Sequence, residues 1–140
     1  LSSAKLIIPK NPVQEFVDRI EALNGMPDFE VFHHRLIVAK FIRTHAGASG
    51  SILTSKQTQL EDQYQGKIGL VVKVGPGAFQ DQGEIAFRDV TVSPGDWVFY
   101  RMGDGNDFDY LAEGSNEKIH MRMLEDVDIK GRVKNPNSIW

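Results

Sequence analysis

The sequence predicts an all-β fold, a small β-barrel preceded by one short helix, and three observations predict it. From Phe29 onward apolar residues recur with a period of two, in short runs rich in Val, Ile, Phe and Tyr. Gly, Pro and Asp punctuate those runs at close intervals. Before Phe29 the period is helical instead, over Val13, Phe16, Val17, Ile20 and Leu23. A chain of 140 residues is sized for one core. The expected division is therefore an N-terminal extension over 1–28, a β-barrel over 29–133 and a tail over 134–140.

The helix comes first. Asn11 stands at its N-cap, Pro12 at its first position and Gln14 where it can reach back to the cap. Asn24-Gly25 ends it, and Pro27 confirms the stop. Such a helix is too short to be stable alone, so it must pack on the body, on a neighbouring subunit or on a partner.

Strands are expected at 29–42 (FEVFHHRLIVAKFI), 67–74 (KIGLVVKV), 84–92 (EIAFRDVTV), 96–102 (DWVFYRM), 118–124 (KIHMRML) and 127–133 (VDIKGRV). Ile68, Leu70, Val72 and Val74 share one strand face, and Ile119, Met121 and Met123 share another, so a closed or nearly closed barrel is the economical architecture. Two stretches interrupt the strands. Residues 43–66 are largely polar and long for so small a domain, and 75–83 (GPGAFQDQG) read as a hairpin tip.

Composition excludes several classes. Hydrophobic content of 41% and charged content of 25% are ordinary for a globular protein, and no apolar run approaches the roughly 20 residues of a membrane helix. Leu6-Ile7-Ile8 is too short for a signal-peptide core, so no export signal is expected. A net charge of -3 with scattered Lys and Arg argues against nucleic acid as partner. The absence of cysteine removes disulfides, thiolate nucleophiles and Cys-based zinc sites, which fits a cytoplasmic protein.

Catalytic patterns do not assemble. Of the four histidines, His33, His34, His45 and His120, the adjacent His33 and His34 point to opposite faces of a strand and neither has a nearby Cys or a helical partner at spacing four, so structural or surface roles and no metal site are expected. MGDGNDFDY (102–110) breaks the calcium-loop order, with Phe108 at the fifth position counted from Asp104, and reads as a solvated turn. Ser49 and Ser51 lack the glycine spacing of a nucleophile elbow. Glu125, Asp126 and Asp128 lack the apolar setting that splits a carboxylate pair. The chain is read as a non-enzyme without a cofactor.

Five segments in order resemble the GroES family, the ten-kilodalton co-chaperonins. HHRLIVAK (33–40) is similar to the family's opening strand, with Arg35 in place and His34 where an Asp is usual. GSILT (50–54) resembles the mobile loop, with Ser51 in place of the first of three aliphatics. GLVVKVGPG (69–77) resembles the strand entering the roof hairpin, VTVSPGDWVFYRMGDG (90–105) the V-x-x-GD-x-V segment, and LEDVDIKGRV (124–133) the closing strand. The fold implied is a GroES-like small barrel with a long mobile loop and a roof hairpin; the helix has no counterpart in it.

The resemblance implies a ring of seven subunits capping the folding chamber of an ATP-driven chaperonin. Gly50, Ser51, Ile52, Leu53 and Thr54 would form the chaperonin-binding loop. Burying Ile52 and Leu53 would yield about 3–6 kcal/mol, whereas ordering even four loop residues costs about 4–8 kcal/mol. One loop would bind poorly, so multivalency belongs to the mechanism. By the same resemblance Val127, Ile129 and Val133 meet Leu36 and Val38 of the next subunit; alternatively these five fill their own core. Two further functional readings stand beside the co-chaperonin. One is a docking protein of a larger assembly such as a virus particle, with the helix as attachment arm, since phages also encode divergent members. The other, the GroES-like domain of a zinc dehydrogenase, lacks cysteine ligands and room for a nucleotide-binding domain. The location expected is the cytoplasm, of a host if phage-encoded, or the virion under the docking reading.

Overall fold

The computed structural model of the chain describes residues 12–42, 67–81, 86–88 and 90–139. Helix α1 (Pro12–Glu21) precedes six strands: β1 (Arg35–Lys40), β2 (Ile68–Val74), β3 (Trp97–Phe99), β4 (Asn106–Leu111), β5 (Lys118–Glu125) and β6 (Gly131–Val133). They form one antiparallel sheet in the order β4-β5-β1-β2-β3-β6. The small β-barrel expectation holds in strand content. The sheet is open rather than closed, however, because β4 and β6 at its two ends do not pair with each other among the described residues.

Helix α1 forms where the three-four spacing places Val13, Phe16, Val17 and Ile20 on one face. Phe16 and Ile20 are buried, and Val13 and Val17 pack on the same cluster. Asn11, the expected cap, lies outside the described residues, and Gln14 donates forward to Asp18 Oδ1 at 2.9 Å. The helix stops as predicted: Leu23 and Asn24 bond back to Ile20 and Glu21 at 3.0 Å, and Asn24 and Gly25 then turn left-handed, with φ of 52° and 72°. Of the three packing options, the helix takes its own body. Arg19 pairs with Glu117 beside β5, and Lys73 Nζ on β2 donates to the Met26 carbonyl at 2.8 Å and to that of Phe29.

The sheet buries both faces. One face carries Ile37, Ala39, Ile68, Leu70, Val72, Trp97, Ile119 and Met121, covered by α1 and by Leu23, Met26 and Val31. The other carries Leu36, Val38, Val71, Val98 and Leu124, joined by Val92 and Tyr100. Burial on both faces is why β1 reads as an unbroken apolar run rather than an alternation.

Ile119 and Met121 share the helix-covered face with the partly buried Met123, as expected. Val74 departs from its predicted partners Ile68, Leu70 and Val72. Ile37 faces Lys73 and Val38 faces Val71, so Val72 is an extra residue in the ladder, and this bulge reverses the parity of β2. Beyond it Lys73 points to the helix side and Val74 packs on the opposite cluster.

Several expected segments need correction; of 96–102 and 127–133 only Trp97–Phe99 and Gly131–Val133 are strand, and Asp126–Asp128 forms a 3-10 turn. Only Arg35–Lys40 of 29–42 is strand; residues 29–34 run irregularly beneath the helix, with His33 at φ 59°. Residues 86–88 and 90–92 of the expected 84–92 strand form no ladder. The stretch read as a solvated turn, 102–110, turns only over 102–105 and then becomes β4. The Gly75-Pro76-Gly77 turn needs its first glycine, because a Cβ there would stand 2.6 Å from the His33 carbonyl oxygen and 2.8 Å from that of Arg35.

Candidate functional site

The residues proposed for chaperonin binding, Gly50, Ser51, Ile52, Leu53 and Thr54, lie outside the described residues. The structure does describe the two ends from which their segment springs. Lys40 at the end of β1 faces Gly69 on β2, and the Phe41 amide donates to the Ile68 carbonyl at 3.0 Å. The 43–66 connection therefore leaves and re-enters the sheet at one adjacent pair of strand ends. Gly69 permits that close pairing, since a Cβ there would lie 2.8 Å from Val38 Cβ and Cγ2.

Aromatic rings hold this root. Phe41 packs edge-on against Trp97 with centroids 5.1 Å apart and against Phe16 of α1 at 5.4 Å; Phe16 and Trp97 lie 5.7 Å apart. On the returning side, the Tyr100 amide donates to the Lys67 carbonyl at 2.9 Å, and its hydroxyl reaches the Ile68 carbonyl at 3.4 Å.

Beside the root, two cations share one carboxylate. Asp107 on β4 accepts from Lys40 Nζ at 2.9 Å and from Arg122 Nε at 2.6 Å. Both cationic side chains are almost fully buried, whereas that of Asp107 is 42% exposed. Partial burial pushes the Asp107 carboxyl up, but hydrogen bonds from Arg122 and Lys40 outweigh it and hold the group below the usual carboxylate range. Arg122 also donates to the Met102 carbonyl at 2.9 Å and stands 5.2 Å from the Tyr100 ring. Burial pushes the Tyr100 phenol well up, against a smaller opposing pull from Arg122. These groups fasten β1, β4 and β5 together at the end where the connection departs.

His45 lies outside the described residues, and two of the described histidines each meet one carboxylate. His34 Nε2 lies 3.5 Å from Glu125, and His120 Nδ1 lies 2.6 Å from Asp109. Among the described residues no three His, Asp or Glu side chains come together to hold a metal ion, and no helix is long and apolar enough to cross a membrane.

The five expected interface residues separate into two groups. Leu36 and Val38 are fully buried in their own chain's core, on a strand paired on both sides. They offer a neighbour neither side chain nor strand edge. Val127 is 41% exposed, Ile129 is half-buried against the second core cluster, and Val133 is half-buried on β6 opposite Trp97. Val127 and Ile129 line an open groove of about 500 Å³ with Phe79, Phe87, Val90 and Val92. Asp126 lies at this groove and accepts from the Phe79 amide at 3.1 Å, while the Phe79 and Phe87 rings meet edge-on at 5.5 Å. These contacts tie Phe79, in the expected roof excursion, to the turn after β5 and to Phe87.

Sequence reasoning missed the aromatic root, the shared carboxylate and the groove. The signals present were Phe41 directly after β1, Trp97 directly after Gly95-Asp96, and the alternation Asp107-Phe108-Asp109-Tyr110. No curated protein matches the chain. The family described as Chaperonin 10 Kd subunit does, over residues 28–130, a span that begins after α1 and ends just before β6. Covering most of the chain, including five of its six strands, that match shows that this protein belongs to the ten-kilodalton chaperonin family.

Proposed function

We propose that this co-chaperonin assembles as a ring and caps a chaperonin folding chamber, docking through the 43–66 connection with Ile52 and Leu53 as its apolar contacts. The observation that carries the reading is the rooting of that connection. Both of its ends are fixed at one strand pair of a body that matches the family, by a backbone bond on one side and the Tyr100 bonds on the other. A segment anchored this way springs from a set place on the body, and repetition around a ring compensates for the weak binding of each copy.

The subunit contact in this proposal runs through Val127, Ile129 and Val133 beside the outer edge of β6. Leu36 and Val38 support it from within the core. Capture on an immobilised chaperonin ring, with and without ATP, tests the reading: wild-type protein should bind in an ATP-dependent manner, and failure under every nucleotide condition sinks it. Leu53→Asp should abolish capture while native mass spectrometry still finds the ring intact. A dissociated ring would make Leu53 a structural residue instead.

A further inference from the structure

Helix α1 lies outside the span matched by the family, yet its aromatic residue reaches the place where the connection departs. Phe16 is buried and touches both other rings of the root, Phe41 and Trp97. Phe41 makes the backbone bond to Ile68 on the departing side. Trp97 opens β3 opposite Leu70, and the preceding turn is clamped to β2 by paired bonds at 2.9 Å between Val71 and the Gly95-Asp96 segment. The three rings thus join the helix, the departing end of the connection and β3.

Without the Phe16 ring, Phe41 would lose one of the ring contacts it makes among the described residues, and the bond it makes just beyond the end of the β1–β2 pairing would be less constrained. An end that wanders more must lose more freedom when the docking segment is immobilised. We propose that Phe16 is a positioning residue for chaperonin docking: through it, the added helix sets how the 43–66 connection leaves the body and thereby tunes affinity for the chaperonin. This rests on the docking reading above. A weakening of roughly threefold per copy would compound around a ring to well over tenfold, because each docked copy raises the effective concentration of the next.

The experiment compares Phe16→Ala and the milder Phe16→Leu with Ile20→Ala, a truncation one turn further along the same helix and in the same cluster. Hydrogen exchange of the free ring reads the Phe41 amide against those of Ile37 and Val38 in mid-strand. Capture on a chaperonin ring with ATP reads affinity. Phe16→Ala should raise exchange selectively at Phe41 by about tenfold or more and weaken capture, Phe16→Leu should restore part of both, and Ile20→Ala should lower only the overall melting temperature. If Phe16→Ala does not fold, the Leu variant against Ile20→Ala decides.

Loss of protection across the whole sheet in step with stability would make Phe16 an ordinary core residue and overturn the proposal. So would selective exchange with unchanged capture. Wild-type protein that fails to bind overturns the docking reading itself, an outcome distinct from wild-type binding that is indifferent to Phe16.

Discussion

Asp107 stands between two buried cations, and its loss would leave both without their shared counter-charge. Breaking a fully buried pair costs about 3–5 kcal/mol; with the Asp107 side chain 42% exposed, solvent screening brings the expectation for Asp107→Asn to about 2–3 kcal/mol. Chemical denaturation of the two proteins at pH 7 checks this. The pH dependence follows from the same contacts. Because the folded group titrates below its ordinary value, near pH 4, its contribution is full above about pH 5 and is lost as pH falls through that ordinary value towards the lower folded one. Thermal melts between pH 7 and pH 3 should show a steeper acid loss in wild type than in Asp107→Asn. At Gly75 the constraint is steric: alanine there meets two carbonyl oxygens inside contact distance, so Gly75→Ala should destabilise by about 1–3 kcal/mol in the same assay.

The helix is an integral part of the fold rather than a free arm, and that bears on the docking alternative in which it served as attachment. Deleting residues 1–27 would remove Phe16, Ile20, Leu23 and Met26 from the larger core cluster. At roughly 1.5–3 kcal/mol each, their burial amounts to about 6–12 kcal/mol, comparable to the whole stability of a domain. The truncated chain should therefore show no cooperative melt by circular dichroism. The helix was legible because its apolar period and its stop at Asn24-Gly25 are local signals. So were β1, β2 and β5, each long enough to carry a pattern. The shorter and edge elements were not. In β4 the Asp residues at alternating positions occupy the more exposed face and looked like a turn. The apolar residues of 84–92 looked like a strand, whereas Ala86, Phe87, Val90 and Val92 line the groove. The aromatic root joins residues 16, 41 and 97, and contacts between segments so far apart leave no trace in local periodicity.

At the scale of the assembly, exposure separates residues available to a neighbour from those that are not. In the proposed ring, Val127→Glu should shift the mass found by light scattering towards single subunits, with the circular dichroism spectrum unchanged, because Val127 is exposed in the subunit. Leu36→Glu should instead unfold the subunit, since it places an unpaired charge at a fully buried position. The strand order has a separate consequence, for the making of the molecule. Central strand β1 lies early in the chain, but one of its two neighbours, β5, comes near the end. A chain emerging from the ribosome cannot complete its middle until most of it has been translated. Until then Leu36, Ile37, Val38 and Ala39 lack the partner strand that β5 will supply, and folding must wait for a closure that spans more than half of the sequence.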